Sequence, residues 1–345
     1  MTSLDPTAIA QQYGHVRRIV GVYAPGASLV ALTGLERGVV LGQVLAKDSE
    51  YVEPNTARDT LILEKDGSVW DAVIHVELDD TSWLIAQSRT GLAELLRETA
   101  EAQGLDDVRV ADAAAEQEAV AFEGPKAWKI AEKLVDFEIS SLVLHGVTVV
   151  ELPGSADEVG VLARIGTTGE YGYLLIAPHA AGVSAWVSEQ AGALGGGAVD
   201  GEALARARAE VRHPQIPQYS HGLSVREAGL EWLVSWNRED EFRGGGALAE
   251  LPDPERGLIH LTGPAGAVPG VGAAILAGDQ TVGEVRVVFP SAGNADELVL
   301  GLLHKPFDVP GLDLTTATVD GGRTTLRTVA APYVVPLSWS ERIGA

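Results

Sequence analysis

The sequence predicts an α+β protein of three modules, two α/β layers followed by a small all-β carboxyl-terminal module. Three observations predict it. Short β-type runs alternate with stretches of helical apolar spacing through most of the chain before Pro252. Beyond Pro252 the pattern changes to β-branched runs separated by Gly and Asn turns. The 345 residues, 46% hydrophobic with 40 glycines, are too many for one small core and enough for several turn-rich modules. The expected boundaries give layers at 1–110 and 111–250 and the β module at 251–345.

In chain order, residues 19–23 and 28–33 read as short strands, and 35–45 carries apolar residues at helical spacing. Residues 60–63 and 72–77 flank the turn Glu64-Lys65-Asp66-Gly67, and 82–86 continues that sheet. Leu92, Leu95 and Leu96 share one face of an amphipathic helix over 91–103. The second layer has strands at 108–112, 118–122 and 147–152 and helices at 125–134 and 180–191, its sheet mixed or antiparallel. The glycine run 192–197 follows a helix where a dinucleotide fingerprint would need a strand, so it reads as a helix terminator and turn. A helix over 202–211 carries Arg206, Arg208 and Glu210, with Arg212 just beyond, and most of these charges read as a solvated face. Strands at 273–276, 282–289, 297–303 and 324–329 complete the β module.

Composition removes whole classes of function. With 48 acidic against 25 basic residues, the net charge of −23 repels phosphate backbones and anionic leaflets, which excludes nucleic acid and membrane partners. Zero cysteines exclude disulfides, thiolate metal sites and cysteine nucleophiles. The eight histidines are scattered, no two at the i, i+4 spacing of a helical metal site, and no EF-hand alternation of acids occurs, so no metal is expected. Pro290-Ser291-Ala292-Gly293 lacks the first glycine of a nucleophile elbow and reads as a turn. No basic region followed by an apolar run opens the chain, and no apolar stretch reaches the roughly 20 residues that span a bilayer, which predicts a cytoplasmic protein.

Two acidic motifs remain, Asp66-Gly67-Ser68-Val69-Trp70-Asp71 and Gly166-Thr167-Thr168-Gly169-Glu170-Tyr171-Gly172-Tyr173. Each sets a carboxylate in a glycine-rich turn, where positive φ and close backbone approach place an acid at a pocket wall. Asp71 reads either as a turn cap or as a group that steers protons and steadies cationic charge. Glu170 offers two oxygens to adjacent N–H donors of a ligand. Trp70, Tyr171, Tyr173 and Trp232 are candidate stacking surfaces, with Trp232 and Trp236 alternatively an i, i+4 core pair. Arg208 or Arg212 suits a ligand carboxylate, with ion pairing to Glu202 or Glu210 as the alternative.

These residues resemble the folate-binding family of the glycine cleavage T-protein, an aminomethyltransferase, over nearly the whole chain. Gly67-Ser68-Val69-Trp70-Asp71 is similar to the family's glycine turn ending in an aspartate, and Gly166–Gly172 to its Gly-Tyr-Thr-Gly-Glu-x-Gly motif. Phe122-Glu123-Gly124-Pro125, Arg208-Ala209-Glu210, Glu227-Ala228-Gly229-Leu230, the 242–248 segment and Val282-Gly283-Glu284-Val285 follow in the family's order and spacing. The resemblance implies three modules around a central channel, with a C-terminal β-barrel-like domain. It implies tetrahydrofolate as cofactor, Asp71 as the catalytic residue beside its reactive nitrogens, Glu170 on the pterin, and Tyr173, Arg208, Trp70, Gln87, Tyr171 and Trp232 around it.

The implied activity is transfer of a methyl or methylene group from a small N-, O- or S-methyl or aminomethyl donor to tetrahydrofolate, with a protein partner that delivers substrate as a further option. The sequence departs from the family at Ala72, for the second aspartate of a pair, and at Asp59, Glu64 and Gln87, for a tyrosine and two asparagines. Residues 207–212 and the following His213-Pro214-Gln215 also differ, so the substrate side is remodelled. A non-catalytic folate-binding regulator or scaffold is the alternative, as is a fold retained for another ligand. The iron–sulfur-assisting branch is disfavoured, because 239–244 lacks its cysteine signature.

Overall fold

The computed structural model describes residues 6–154, 158–215, 220, 222–268, 270–292, 296–318 and 320–344. His221, Gly293 and the first five residues, which entered the readings above, lie outside them. Two compact units divide the chain, one from 15–199, 232–251 and 336–345, the other from 1–14, 200–231 and 252–335.

The first unit interleaves two sheets. Its strands are β1 (Gly21–Tyr23), β2 (Ser28–Thr33), β3 (Thr56–Leu63), β4 (Val69–Glu77), β5 (Thr81–Ala86), β6 (Arg109–Asp112), β7 (Gln117–Glu123), β8 (Val147–Glu151), β9 (Val159–Ala163), β10 (Gly172–Pro178) and β11 (Gly197–Ala198). The helices of the chain are α1 (Pro6–Arg18), α2 (Arg37–Val44), α3 (Leu92–Gln103), α4 (Trp128–Ala131), α5 (Val183–Ala193), α6 (Gly201–Glu210) and α7 (Gly245–Glu250). A six-stranded sheet runs β11-β1-β7-β10-β9-β8 and a five-stranded sheet runs β3-β4-β5-β2-β6. The first is mixed, because β1 pairs parallel with β11, and the second is antiparallel throughout.

Three apolar layers organise this unit. Leu29, Val76, Ile85, Leu174 and Ile176 pack between the two sheets. Phe122, Tyr173 and Leu175 face α4 and α5 on the outer side of the six-stranded sheet, and Leu32, Leu84, Leu92 and Leu96 join the other sheet to α2 and α3. The result is an α/β/β/α sandwich, each sheet covered on both faces. That explains why β10 escapes a search for alternation: its Tyr173–Ala177 side chains are all buried, whichever face they take. β9, α1 and α7 are further additions to the expected elements, and the helix expected over 125–134 keeps a single α-turn at Trp128–Ala131. α3 matches its expectation because Leu92, Leu96 and Ala100 bury one face, and Gly104, at φ +68°, closes it by donating to Ala100 and Glu101 carbonyls. The 192–197 glycines do terminate α5, and Gly196 lies so close to β1 that a Cβ there would sit 2.2 Å from the Val20 carbonyl oxygen.

The second unit holds a closed antiparallel barrel, β12 (Arg256–Pro264), β13 (Ala274–Ala277), β14 (Gln280–Phe289), β15 (Asp296–His304), β16 (Asp313–Ala317) and β17 (Arg323–Val329), in the order β12-β15-β14-β13-β16-β17. Leu261, Ile275, Val285, Val299, Leu303 and Leu326 fill it. Closure pairs β12 with both β15 and β17 and so removes the open edges. α6 corrects the expectation of a solvated charged face: Arg206, Arg208 and Glu210 are all buried. Arg206 Nε donates to Glu210 (3.0 Å) and its Nη1 to the Pro290 carbonyl (2.7 Å), while Tyr13 O–H donates to both Glu210 oxygens (3.0 Å). The residues are charged, yet the helix is an interior one, with Arg206 and Glu210 paired to each other inside this unit. Arg212, at φ +61°, lays its guanidinium over Gly229, where a Cβ would come within 2.1 Å of Nη2.

His260 on β12 is buried with Nε2 2.7 Å from the Ala209 carbonyl oxygen, and burial pushes its pKa down from 6.5 to about 4. The folded state therefore stays neutral while the unfolded chain takes up a proton. Stability is complete above pH 6.5 and falls as the pH drops from 6.5 towards 4, by up to about 3 kcal/mol at 1.36 kcal/mol per unit. Urea titrations at pH 7 and pH 4.5 should show this loss, and His260→Gln should reduce it.

Candidate functional site

The glycine motif at 166–173 is built around Glu123, at the end of β7. This carboxylate is only 1% exposed. It accepts from Thr167 N–H (2.8 and 2.9 Å), Thr168 N–H (2.8 Å), Thr167 Oγ1 (2.9 Å), Thr168 Oγ1 (2.6 Å) and the Tyr23 hydroxyl. Gly166 and Gly172 form the crossing stems of the turn. A Cβ on Gly166 would sit 3.0 Å from Glu123 Oε2, and one on Gly172 only 2.4 Å from Gly166 Cα. Gly169 at φ +77° reverses the chain between them and delivers Glu170.

Glu170 is buried and turned inward. Arg17 Nη1 lies 3.3 Å from Oε1 and also donates to the Thr168 carbonyl (2.7 Å), so a cation from α1 grips both the turn and its acid. The remaining donors come from a segment far along the chain. Leu337 N–H donates to Oε1 (3.2 Å), and Ser338 N–H (3.0 Å) and Oγ (2.6 Å) donate to Oε2. Tyr171 joins the same contact, its N–H donating to Ser338 Oγ (2.9 Å) and its hydroxyl to the Glu341 carbonyl (2.5 Å).

Asp71 lies on β4, past its turn. Gly67, at φ +82°, closes the 64–68 turn with N–H donation to the Glu64 carbonyl, and Asp66 accepts from Ser68. The β3–β4 register passes from Ile62↔Asp71 to Leu63↔Val69, so Trp70 is the extra residue of a β-bulge. The bulge turns Asp71 inward beneath the 87–90 loop. Its carboxylate is fully buried and accepts from Ala72 N–H (2.9 Å), Ser88 N–H (2.8 Å), Ser88 Oγ (2.9 Å) and Arg89 N–H (2.8 Å). Burial raises its pKa, and these hydrogen bonds oppose the rise. Arg89 then bonds Glu64 (3.3 Å), which Arg243 Nη2 also grips (2.5 Å), so the residue in place of the family's asparagine is tied into an ion-pair chain.

The other candidates divide between core and open surface. Tyr173 is fully buried, stacked on Phe122 at 5.6 Å, and burial raises its hydroxyl to about 12. Trp70 belongs to the core beside α2 and α3, with the Arg89 guanidinium 5.3 Å over its ring. Neither presents an open stacking face, because each side chain is enclosed by the layer it helps to build. Tyr171 is partly buried beneath the Arg164 guanidinium (5.7 Å). Trp232 is 50% exposed with Lys47 Nζ 5.5 Å from its ring. It sits on a 3-10 turn, Glu231–Leu233, that ends before Trp236, so the i, i+4 core pairing does not form. Gln87 is half-buried, its N–H donating to the Ala72 carbonyl (3.0 Å). Arg208 is buried on α6 in the other unit. Among the described residues no His, Cys, Asp and Glu group could hold a metal ion, and no helix is long and apolar enough to cross a membrane.

Sequence reasoning missed Glu123, Arg17, Ser88 and Ser338 as members of these clusters. A lone glutamate ending the apolar run Ala119–Phe122 is a readable signal of a buried charge, whereas nothing local marks Ser338. Glu123→Ala strands four N–H and O–H donors of the turn and should lower stability by roughly 3 kcal/mol or more in urea unfolding.

The profile of the GCVT N-terminal domain matches residues 4–238. The aminomethyltransferase of Streptomyces coelicolor is 26% identical over 316 residues, covering 88% of this chain and 83% of that protein. The aminomethyltransferase of Cutibacterium acnes is 30% identical over 287 residues, covering 77% and 74%. The crystal structure of glycine cleavage system aminomethyltransferase T from Bartonella henselae superposes with a TM-score of 0.78 at 19% identity, over 95% of this chain and 90% of that one. At that identity the superposition speaks for the fold, the sandwich and barrel described above. The matched profile and the 30% relative, each spanning about two thirds of the chain or more, carry the conclusion that this chain belongs to the GCVT family.

Proposed function

We infer that this protein is a tetrahydrofolate-dependent one-carbon transferase, an enzyme like the aminomethyltransferases it resembles. The observation that carries the reading is Glu170. It is an inward-facing carboxylate on a rigid glycine turn whose two oxygens accept adjacent N–H donors, from Leu337 and Ser338. A pterin offers the same pair, an amide N–H beside an exocyclic amine, so the donor chemistry at Glu170 fits the cofactor. Arg17 holds the acid and its turn in one orientation.

Tetrahydrofolate supplies the nucleophilic nitrogens that receive the one-carbon unit. The chain supplies position and charge. Glu170 would fix the ring and Trp232 would offer an open aromatic face, while Arg208, in the other unit, has the chemistry to pair with a carboxylate. Asp71 is the proposed catalytic group: a fixed carboxylate beneath the exposed 88–90 loop steadies positive charge as the bond from the one-carbon unit to the donor heteroatom breaks. Its raised pKa also suits it to hold the proton released as the new bond to nitrogen forms.

The donor is a small N-, O- or S-methyl or aminomethyl compound. Ala72, Asp59, Gln87 and the Arg89–Glu64–Arg243 chain set its site apart from the family pattern, which supports a donor other than the one that pattern serves. Delivery by a partner protein is compatible with the acidic surface if that partner is neutral or basic.

Tetrahydrofolate at about 100 times its dissociation constant should stabilise the protein by roughly 2.7 kcal/mol, a shift of a few degrees in Tm. Glu170→Gln should weaken binding about tenfold or more; no folate-dependent shift in the wild type sinks the reading. Asp71→Asn should slow turnover by roughly a hundredfold while changing the folate dissociation constant little. An unchanged rate would remove Asp71 from the chemistry.

A further inference from the structure

We propose that residues 336–341 form a strap that occupies Glu170 in place of the pterin and must lift for folate to bind. The inference rests on the reading of Glu170 as the pterin carboxylate. A carboxylate has about four lone-pair sites, and all are taken here. Arg17 and Leu337 N–H hold Oε1, while Ser338 N–H and Oγ hold Oε2. A ligand that needs two donors on this group must therefore displace two that are already present.

The donors differ in how readily they can leave. Arg17 lies on α1, is itself buried and also bonds the Thr168 carbonyl, so it stays with the turn. The strap is a short 3-10 turn, Leu337–Trp339, attached chiefly by polar contacts: those to Glu170, the Tyr171 N–H to Ser338 Oγ and the Tyr171 hydroxyl to the Glu341 carbonyl. Its large apolar side chains contribute little to holding it. Pro336 is buried at its start, but Leu337 is 41% and Trp339 65% exposed, and Ile343 packs on the core beyond it. Few buried apolar contacts and hydrogen bonds made to a single turn, through Glu170 and Tyr171, are the marks of a segment that opens locally at low cost.

When the strap lifts, Leu337 and Ser338 exchange Glu170 for water and Glu170 exchanges them for the ligand. The Ser338 hydroxyl also frees the Tyr171 N–H at the edge of the same turn. A strap closed nine-tenths of the time weakens apparent folate affinity about tenfold. It also keeps a buried acid satisfied whenever ligand is absent.

Isothermal titration with tetrahydrofolate on the wild type, Ser338→Ala and a chain cut after Val335 tests this. Ser338→Ala should tighten binding about threefold and the cut chain about tenfold. Hydrogen exchange on the full chain should show the Leu337 and Ser338 amides exchanging faster with folate bound. Unchanged or weaker affinity in both variants, or greater protection of those amides on binding, overturns the strap and leaves the folate reading standing. Absence of binding in all three proteins removes both.

Discussion

The constraint on which the site depends is a buried negative charge at Glu123. A carboxylate placed at the end of an apolar strand and almost wholly removed from water must be met by hydrogen-bond donors or lose its charge. Here the donors are two successive backbone N–H groups and two threonine hydroxyls of one turn, with a tyrosine from the neighbouring strand. That demand dictates the path of the turn, and the path dictates its sequence. Gly166 and Gly172 are needed because the stems cross at a distance no side chain permits, and Gly169 because the chain reverses there. The direction of Glu170 follows. One acid is therefore spent on shaping the loop so that another is correctly aimed.

Asp71 obeys the same logic on the second sheet. A bulge at Trp70 turns its carboxylate under the 87–90 loop, where three N–H groups and a hydroxyl converge. Among the described residues Asp71 and Glu170 share no hydrogen-bond partner, so each is held by its own set of donors. The ion-pair chain from Arg89 through Glu64 to Arg243 anchors the loop from the outer side. This chain depends on Glu64, the residue in place of the family's asparagine, since an asparagine there would bring no charge to pair with either arginine.

Much of this was legible in the sequence, for reasons that can be named. α3 declared itself through leucine spacing, and the all-β character of the last module through Gly-separated β-branched runs, while the barrel followed from the family resemblance. The GCVT motifs were readable because glycine turns are local. What stayed hidden depended on burial. β10 shows no alternation because both its faces are covered, and the charges of α6 look solvated until Glu210, Tyr13 and Pro290 are found around them. Tyr173 and Trp70 are enclosed for similar reasons, since aromatic residues next to a motif serve a core as readily as a pocket.

The bond between Glu170 and Ser338 spans 168 positions of sequence. Contacts of such separation form late, because the loop-closure entropy between them must be overcome before they contribute anything. During synthesis the turn, its stems and the Arg17 contact can assemble while the barrel residues are still being added. Until the polypeptide has grown past residue 338, Arg17 is the one side chain among the described residues that pairs with Glu170. Glu170 of a nascent chain is thus uncovered before residues 337 and 338 can reach it, so on the strap proposal its first partner would be whichever arrives sooner, a ligand or the protein's own later residues.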